Sequence, residues 1–542
     1  MQPFATEVDS SAAEFNDNRA AMLEAIERFR NAERLPADAE QAKAARYRER
    51  GWLLPRERLN RLLDPGAPFI ELCALAGYKL YDDRDGSGAG GGAICGIGRI
   101  GGRRCLVRVD NYAVKGGTIS PAGMDKALRM QQIALENRLP IVTLAQSGGA
   151  NLMYASETFA PGGRGFANQA RMSAAGIPQI TVVHGSATAG GAYQPGLSDY
   201  VVMVRGQSGM YLAGPPLLKA ATGEIADAES LGGAVMHCQQ AGSGDYLAED
   251  DADGIRIARE IVASLPPHPQ QLQQSPYSSA IGEWCEPRYP ADDLLGLVPA
   301  DSKKPYDVRE LLARIADGSA LLDFKPEFDR QTYCGHLRIE GQTVGAIGNN
   351  GPITPKGANK AAQFIQLCEQ SGTPLLFLHN TTGFMVGTEV EQQGIIKHGS
   401  KMIQAVANAS VPKFSIVVGG SYGAGNYAMC GRGFDPRFIF AWPNSRTAVM
   451  GAAQAGKVLR IVSEQKMQRA GQVDEAALQK LETDTSAFMQ ASSDALACSA
   501  RLWDDGIIDP RDTRRLLGML LEIWREAEAA TPRRNSFGVA RF

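Results

Sequence analysis

The stretch "SPAGMDKA", Ser120–Ala127, returns 234 positions later as "TPKGANKA", Thr354–Ala361. The match extends outward in one register. Pro140 in "NRLPIVTLAQSGG" falls on Pro374 in "SGTPLLFLHNTTG", and Pro178 in "GIPQITVVHGSATAGGAY" falls on Pro412 in "SVPKFSIVVGGSYGAGNY". Gly191 falls on Gly425 and Tyr193 on Tyr427, with no gap across more than seventy residues. A period this long is no solenoid repeat. It is a duplicated domain.

Both copies have the same order of parts. A strand pair comes first ("GIGRIGGRRCLVRVDN"; "GHLRIEGQTVGAIGNN"), then a glycine loop and an amphipathic helix ("MDKALRMQQIALEN"; "ANKAAQFIQLCEQ"). A short apolar strand follows ("PIVTLAQ"; "PLLFLHN"), then another helix, a second buried strand ("QITVVHG"; "KFSIVVGG") and a glycine-rich turn. Short apolar runs alternating with helical segments predict an α/β fold of parallel β/α layers, in two tandem domains. The expected boundaries are a helical arm over 1–65 counted with the first domain, a first domain over 66–263, a linker over 264–285 around "SLPPHPQQLQQSP", and a second domain over 286–542. The charged part of the arm, near residues 10–65, is expected to pack outward or on a partner subunit.

At 542 residues the chain suits two large domains. A net charge of −3 and the absence of a long basic run argue against nucleic acid as a partner. No apolar stretch approaches the roughly 18 residues of a membrane span, so no membrane is expected either. The beginning, "MQPFATEVDSS", reads as neither signal nor transit peptide. Nine scattered cysteines with no C-x-x-C pair read as buried thiols in a reducing cytosol, and six histidines without H-x-x-x-H spacing predict no metal site.

The chemistry concentrates in the turns after the second buried strands, "GSATAGGAY" (Gly185–Tyr193) and "GGSYGAGNY" (Gly419–Tyr427). Small side chains there leave backbone N–H groups open to a carbonyl that gains negative charge, and one such donor is worth roughly 3–4 kcal/mol of transition-state stabilisation. Gly190 and Gly191 correspond to Ala424 and Gly425. The first buried strands end in "SGGAN" (Ser147–Asn151) and "NTTGFMVG" (Asn380–Gly387), at the carboxyl ends of parallel strands, where ligands bind. Two half-sites imply two ligands, or a composite site completed by a second subunit. "GGSYG" matches the G-x-S-x-G elbow with Ser421 as nucleophile, but that arrangement places its histidine downstream, and the last histidine here is His398. "GIGRIG" matches G-x-G-x-x-G, yet a strand follows it, which makes it a hairpin. His379 and His398 read as structural, and no strong acid–base pair is present.

With "LLPRERLNRLLDPG" (Leu53–Gly66), "VKGGT" (Val114–Thr118), "SGGANL", "TAGGAY", "LAGPPLLKAATGE" (Leu212–Glu224), "TGFMVG" and "SARLWDDGIIDP" (Ser499–Pro510), nearly the whole chain resembles the carboxyltransferase (beta) subunits of biotin-dependent acyl-CoA carboxylases. The resemblance implies two tandem crotonase-like domains of the ClpP/crotonase β-β-α superhelix. It implies a ligase reaction that moves a carboxyl group from carboxybiotin to an acyl-CoA through enolate stabilisation. Gly190 and Gly191 would hold the thioester oxygen, and Ala424 and Gly425 the biotin ureido oxygen. Acyl-CoA contacts would come from Ser147, Gly148, Gly149, Ala150, Gly214 and Pro215, and biotin contacts from Thr382, Gly383, Phe384 and Tyr422. Biotin would be carried by a separate biotin carboxylase/carrier (alpha) subunit, since no "AMKM"-like attachment site is present. The resemblance further implies a homohexameric core within an alpha6beta6 holoenzyme, with active sites between the first domain of one subunit and the second of another, in a bacterial cytoplasm.

"NTTGFMVG" is similar to the 3-methylcrotonyl-CoA and geranyl-CoA branch, whereas propionyl-CoA enzymes carry a "DTPGF"-type stretch that Thr382 departs from. After "SGGANL", 3-methylcrotonyl enzymes run through a longer "PRQDEVFPD"-like loop. Here "MYASETFAPGGRGFANQ" is shorter and carries Gly162, Gly163 and Gly165. That favours a geranyl-CoA-like substrate and terpene catabolism over 3-methylcrotonyl-CoA and leucine catabolism. The rivals are a biotin-dependent acyl-CoA decarboxylase of the same fold and a non-catalytic scaffold, which would need neither glycine pair. A hydratase would want paired glutamates that "GSATAGGAYQPG" lacks.

Overall fold

A computed structural model describes residues 1–266, 284–301, 304–530, 532, 534, 538 and 539. The chain divides into two compact units. One comprises 31–278, 500–502 and 523–542, and the other 1–30, 279–499 and 503–522. The expected linker over 264–285 falls largely outside the described residues.

The unit holding the first copy is built on β2 (Ile70–Glu71), β3 (Ala93–Ile100), β4 (Arg103–Asp110), β5 (Ile141–Ser147), β6 (Gln179–Thr188), β7 (Tyr200–Val204), β8 (Gly209–Tyr211) and β9 (Tyr246–Ala248). The sheet order is β2-β3-β4-β5-β6-β7-β9, with β8 on β6. The other unit is built on β1 (Gln2–Pro3), β10 (Ala320–Asp323), β11 (Thr332–Ile339), β12 (Gln342–Asn349), β13 (Leu375–Thr381), β14 (Lys413–Tyr422), β15 (Phe438–Ala441) and β16 (Arg446–Ala448). Its order is β1-β10-β11-β12-β13-β14-β15, with β16 on β14. In each, an antiparallel hairpin (β3/β4; β11/β12) leads into parallel strands. "GIGRIG" is indeed a hairpin, turning at Gly101 and Gly102 with φ of +57° and +76°. These are two tandem crotonase-like units.

The opening octapeptides are helix starts. Ser120 and Thr354 cap the helices Pro121–Glu136 and Pro355–Ser371, accepting from the Gly123 and Gly357 N–H groups, with proline at the first helical position. Proline has no N–H to leave unpaired there, so the helices begin three residues earlier than the apolar periodicity suggests. The repeated lysine is buried in both copies. Lys126 Nζ donates to the Gly90 and Ala93 carbonyls, and Lys360 Nζ to that of Asp329. Both helices are thereby tied to the chain that leads into the hairpin of their sheet.

β5 and β13 are buried along their whole length, and most residues of the parallel strands beside them are buried too, in separate apolar cores. The N-terminal arm does not project. Phe15 and Met22, on the helix Ala13–Gln41, are buried; Phe15 packs on Gly296, and Arg19 pairs with Asp292 at 2.6 Å. Residues 1–30 thus lie in the unit of the second copy, and the charged surface pattern of the arm concealed its apolar stripe. All nine cysteines are free, and seven are buried; Cys285 is exposed and Cys238 half-buried, against the expectation of buried thiols throughout. Among the described residues no helix is long and apolar enough to cross a membrane.

Candidate active site

In both copies the strand register slips at one place. β5 pairs with β6 evenly up to Ala145, then Ser147 meets Ala187; β13 pairs with β14 up to His379, then Thr381 meets Ser421. The slip lets the two strand ends diverge and opens room between the loops that follow. Behind the slip, each loop closes on its own hydroxyl. The Gly149 N–H donates to Ser147 Oγ at 3.1 Å and the Gly383 N–H to Thr381 Oγ1 at 3.1 Å. Gly149 and Gly383 take φ of +86° and +113°, which glycine adopts without a steric penalty. Their carbonyls accept from the Ile119 and Ile353 N–H groups, and Ala150 and Phe384 bridge to the same two isoleucines.

The predicted small-residue turns lie beside these loops. Gly190 and Gly191 open the helix Gly190–Gly196, and Ala424 and Gly425 lie in the first turn of Gly423–Ala428. First-turn N–H groups have no intrahelical acceptor, and among the described residues these four donate to no protein acceptor. Gly191 faces the first loop: a Cβ on it would stand 3.9 Å from Gly149 Cα and 4.0 Å from Ser147 Oγ. Gly425 is tighter, with a Cβ falling 2.8 Å from Gly383 Cα. The structure therefore brings Gly190, Gly191, Ser147, Gly148, Gly149 and Ala150 together in one unit, and Ala424, Gly425 and Gly383 in the other.

The remaining predicted residues divide. Gly214 stands beside Thr188 and caps the helix Pro215–Thr222, which places Gly214 and Pro215 next to the first turn. Thr382 is exposed on the second loop. The Phe384 ring packs on Gly399 of the helix Ile395–Asn408, and the buried Tyr422 ring lies against Gly420, so these two aromatics contribute chiefly by shaping the loop and the strand end.

Sequence reasoning missed three features. Phe166, on the helix Ala155–Ala174, lies with Cζ 3.9 Å from the position of a Cβ on Gly190, and its ring pairs with Tyr193 at 5.7 Å. Its signal was the helix itself, which brings residue 166 and residue 162 onto one face. Behind the first turn is a buried polar cluster. Arg58 Nε donates to Asp251 Oδ2 at 3.0 Å and Arg58 NH1 to Gln146 Oε1 at 2.6 Å, while His184 Nδ1 pairs with Asp251 Oδ1 at 2.7 Å. Burial pushes the Asp251 carboxyl up, but the bonds and charges of His184 and Arg58 prevail and hold it at about 2. Burial and the Arg58 charge lower His184, against the raising pull of Asp251. Behind the second turn, His379 meets Ser421 at 2.9 Å. That contact joins residues on neighbouring parallel strands, which spacing along the chain does not reveal.

The Carboxyl transferase domain family matches residues 46–537. The chain is 46% identical over 535 residues to a probable mitochondrial methylcrotonoyl-CoA carboxylase beta chain of Drosophila melanogaster, covering 95% of this chain and 92% of that one. It is 47% identical over 489 residues to a biotin-dependent 3-methylcrotonyl-coenzyme A carboxylase beta1 subunit of Mycobacterium tuberculosis, covering 89% and 90%. Among solved structures, the geranyl-CoA carboxylase beta subunit of P. aeruginosa aligns over 100% of both chains with a TM-score of 0.92 and 64% identity. The duplicated turns and these likenesses together make the chain a member of the biotin-dependent acyl-CoA carboxylase family, as a carboxyltransferase (beta) subunit.

Proposed function

We propose that this carboxyltransferase acts on an unsaturated branched acyl-CoA of geranyl-CoA-like length, using the two turns as oxyanion holes. The Gly190 and Gly191 N–H groups hold the thioester oxygen and gain strength as the acyl group becomes an enolate, because negative charge then builds on that oxygen. Ser147, Gly148, Gly149, Ala150, Gly214 and Pro215 shape the approach of the acyl-CoA. The Ala424 and Gly425 N–H groups, with Thr382, Gly383, Phe384 and Tyr422 around them, suit a ureido oxygen. Donors without a protein acceptor and a glycine that tolerates no Cβ are what a flat carbonyl ligand requires. Biotin, carried by a separate alpha subunit, would supply the carboxyl group and the base that takes the acyl proton.

One observation carries the substrate length. Gly162 lies one helical turn before Phe166, on the face turned toward Gly190. A Cβ on Gly162 would come within 3.4 Å of Met124 Cε on the helix Pro121–Glu136, so only a small residue fits there without moving that side chain. Gly163 is exposed, with nothing within 4 Å of its Cβ position.

Assembly follows from matched apolar positions. Leu152, Tyr193 and Leu212, flanking the first turn, are 86%, 50% and 70% exposed; Val386, Tyr427 and Val449, their counterparts at the second, are 82%, 51% and 75% exposed. Such exposure on both copies supports burial by further copies in a homohexameric core, with the first domain of one subunit meeting the second of another and alpha subunits completing alpha6beta6. Free and mostly buried thiols suit a bacterial cytoplasm.

The test is carboxylation of a panel of acyl-CoAs by the reconstituted holoenzyme with ATP and labelled bicarbonate, from propionyl-CoA through 3-methylcrotonyl-CoA to geranyl-CoA. Label chiefly in geranyl-CoA, lost on Gly162→Leu while 3-methylcrotonyl-CoA is spared, is the expected result. A preference for 3-methylcrotonyl-CoA keeps the reaction and overturns the substrate.

A further inference from the structure

"GGSYG" centres a serine in an elbow pattern whose histidine is absent downstream. The fold supplies one from upstream. His379 Nδ1, on β13, lies 2.9 Å from Ser421 Oγ on β14, and Asn426 Nδ2 donates to the same oxygen at 2.8 Å. His379 and Ser421 are wholly buried, so this oxygen reaches no substrate. With Asn426 donating to Oγ, the Ser421 hydrogen is left for His379 Nδ1. The ring proton then sits on Nε2, which faces the Met429 carbonyl without closing a hydrogen bond of standard geometry.

The first copy has alanine at all three equivalent positions, Ala145, Ala187 and Ala192, with the same strands, the same parallel pairing and the same register slip. The fold therefore does not need the polar trio. What the trio spans is specific. The bond from Asn426 to Ser421 encloses Tyr422–Gly425, the segment that carries the Ala424 and Gly425 N–H groups, and ties helix to strand on both sides of it. The turn so enclosed is the tighter of the two: Gly425 is buried where Gly191 is half-buried, and a Cβ on it would meet backbone at 2.8 Å rather than 3.9 Å. Buried side chains hydrogen-bonded to one another rigidify the backbone between them.

We infer that Ser421, Asn426 and His379 are positioning residues, a side-chain brace that fixes the Ala424 and Gly425 N–H groups against the carbonyl of the carboxyl donor. The inference rests on the reading of the second turn given above. The brace acts on the donor side alone and has no counterpart on the acyl-CoA side.

The experiment installs the first copy's residues in the second, as His379→Ala, Ser421→Ala and Asn426→Ala together, in the holoenzyme with its alpha subunit. Small misplacements of a site cost up to about 100-fold, so kcat is expected to fall about 10- to 100-fold. The KM for acyl-CoA should stay within about twofold, since uniform binding of that substrate is untouched. Amide exchange at 423–425 should quicken. His379→Asn alone, which keeps an acceptor where Nδ1 stands, should retain most of the wild-type kcat, whereas His379→Ala should not. If the triple variant fails to assemble, Asn426→Ala decides by the same split of kcat from KM. Unchanged kcat and exchange overturn the brace. So does a kcat that falls only in step with thermal stability, with His379→Asn no better than His379→Ala. Gly425→Val, measured alongside, separates the two layers. If it is inactive while the triple variant is normal, the brace alone fails; if it too is normal, the reading of the second turn fails.

Discussion

Behind the turn of the first copy lie Arg58, Gln146, His184 and Asp251; behind that of the second lie His379, Ser421 and Asn426. The strands, the slip in register and the glycine loops coincide, yet the buried polar groups occupy different positions. Gln146 corresponds to Asn380, which reaches instead to the Gly420 N–H at 3.0 Å, and His184 corresponds to Val418. The duplicated scaffold fixes where a carbonyl can be held. The groups behind it set how firmly, and each copy has solved that separately: with a charged cluster that reaches outside the repeat, or with a short neutral chain that stays within it.

The largest difference is expected from Arg58→Met. It leaves Asp251 charged and buried without its cation, a change that costs about 3–5 kcal/mol. Urea unfolding should register it, and the neutral His379–Ser421–Asn426 chain behind the second turn has no ion pair to lose; a change below about 1 kcal/mol would mean the cluster is not closed in solution. Next comes the glycine pair. Gly425→Ala drives a methyl against Gly383 backbone and should destabilise by about 1–3 kcal/mol, while Gly191→Ala, with 3.9 Å of room, should change stability little. Equal effects would erase the contrast in tightness.

The third difference is one of pH. Burial lowers the His379 imidazole to about 3, so between that value and its ordinary 6.5 the unfolded chain binds a proton that the folded chain refuses. Stability should therefore fall as pH is lowered through this window, by up to about 1.4 kcal/mol per pH unit from this group. His379→Asn should flatten that part of the stability–pH curve; an unaltered slope would show that the imidazole is protonated in the fold. Asp251 acts lower. Its carboxyl is held below its usual value, so its contribution is present above about pH 4 and lost as pH falls toward 2. The smallest effect is a shared one: Ser120→Ala and Thr354→Ala each remove a helix cap and should cost about 1 kcal/mol alike.

The scaffold was legible because duplication writes each local signal twice. The prolines at 121 and 355, the strand apolarity and the turns at 190 and 424 are short-range features, readable from neighbours in the chain. What escaped depends on contacts across it. Ser421 reads as an elbow without a histidine because none follows it in the chain, while β13 and β14, lying parallel, set residue 379 beside residue 421. Arg58 sits in a quoted motif, but nothing in "PRERLNRLL" says that its guanidinium ends on an aspartate at 251. The first 30 residues read as a charged arm because Phe15 and Met22 are few among many polar neighbours.

The residue just before Gly190 and the one just before Ala424 take a left-handed φ, and the two copies fill that place differently: Ala189 at +52° and Gly423 at +54°. Alanine pays about 1 kcal/mol or more in steric strain there. In return it has few other conformations to visit, so the first turn itself needs no side-chain bond across it. Glycine removes the strain and gains freedom, which by itself would leave the second turn floppy. One missing methyl group thus moves the task of keeping the turn in shape from backbone entropy to hydrogen bonds.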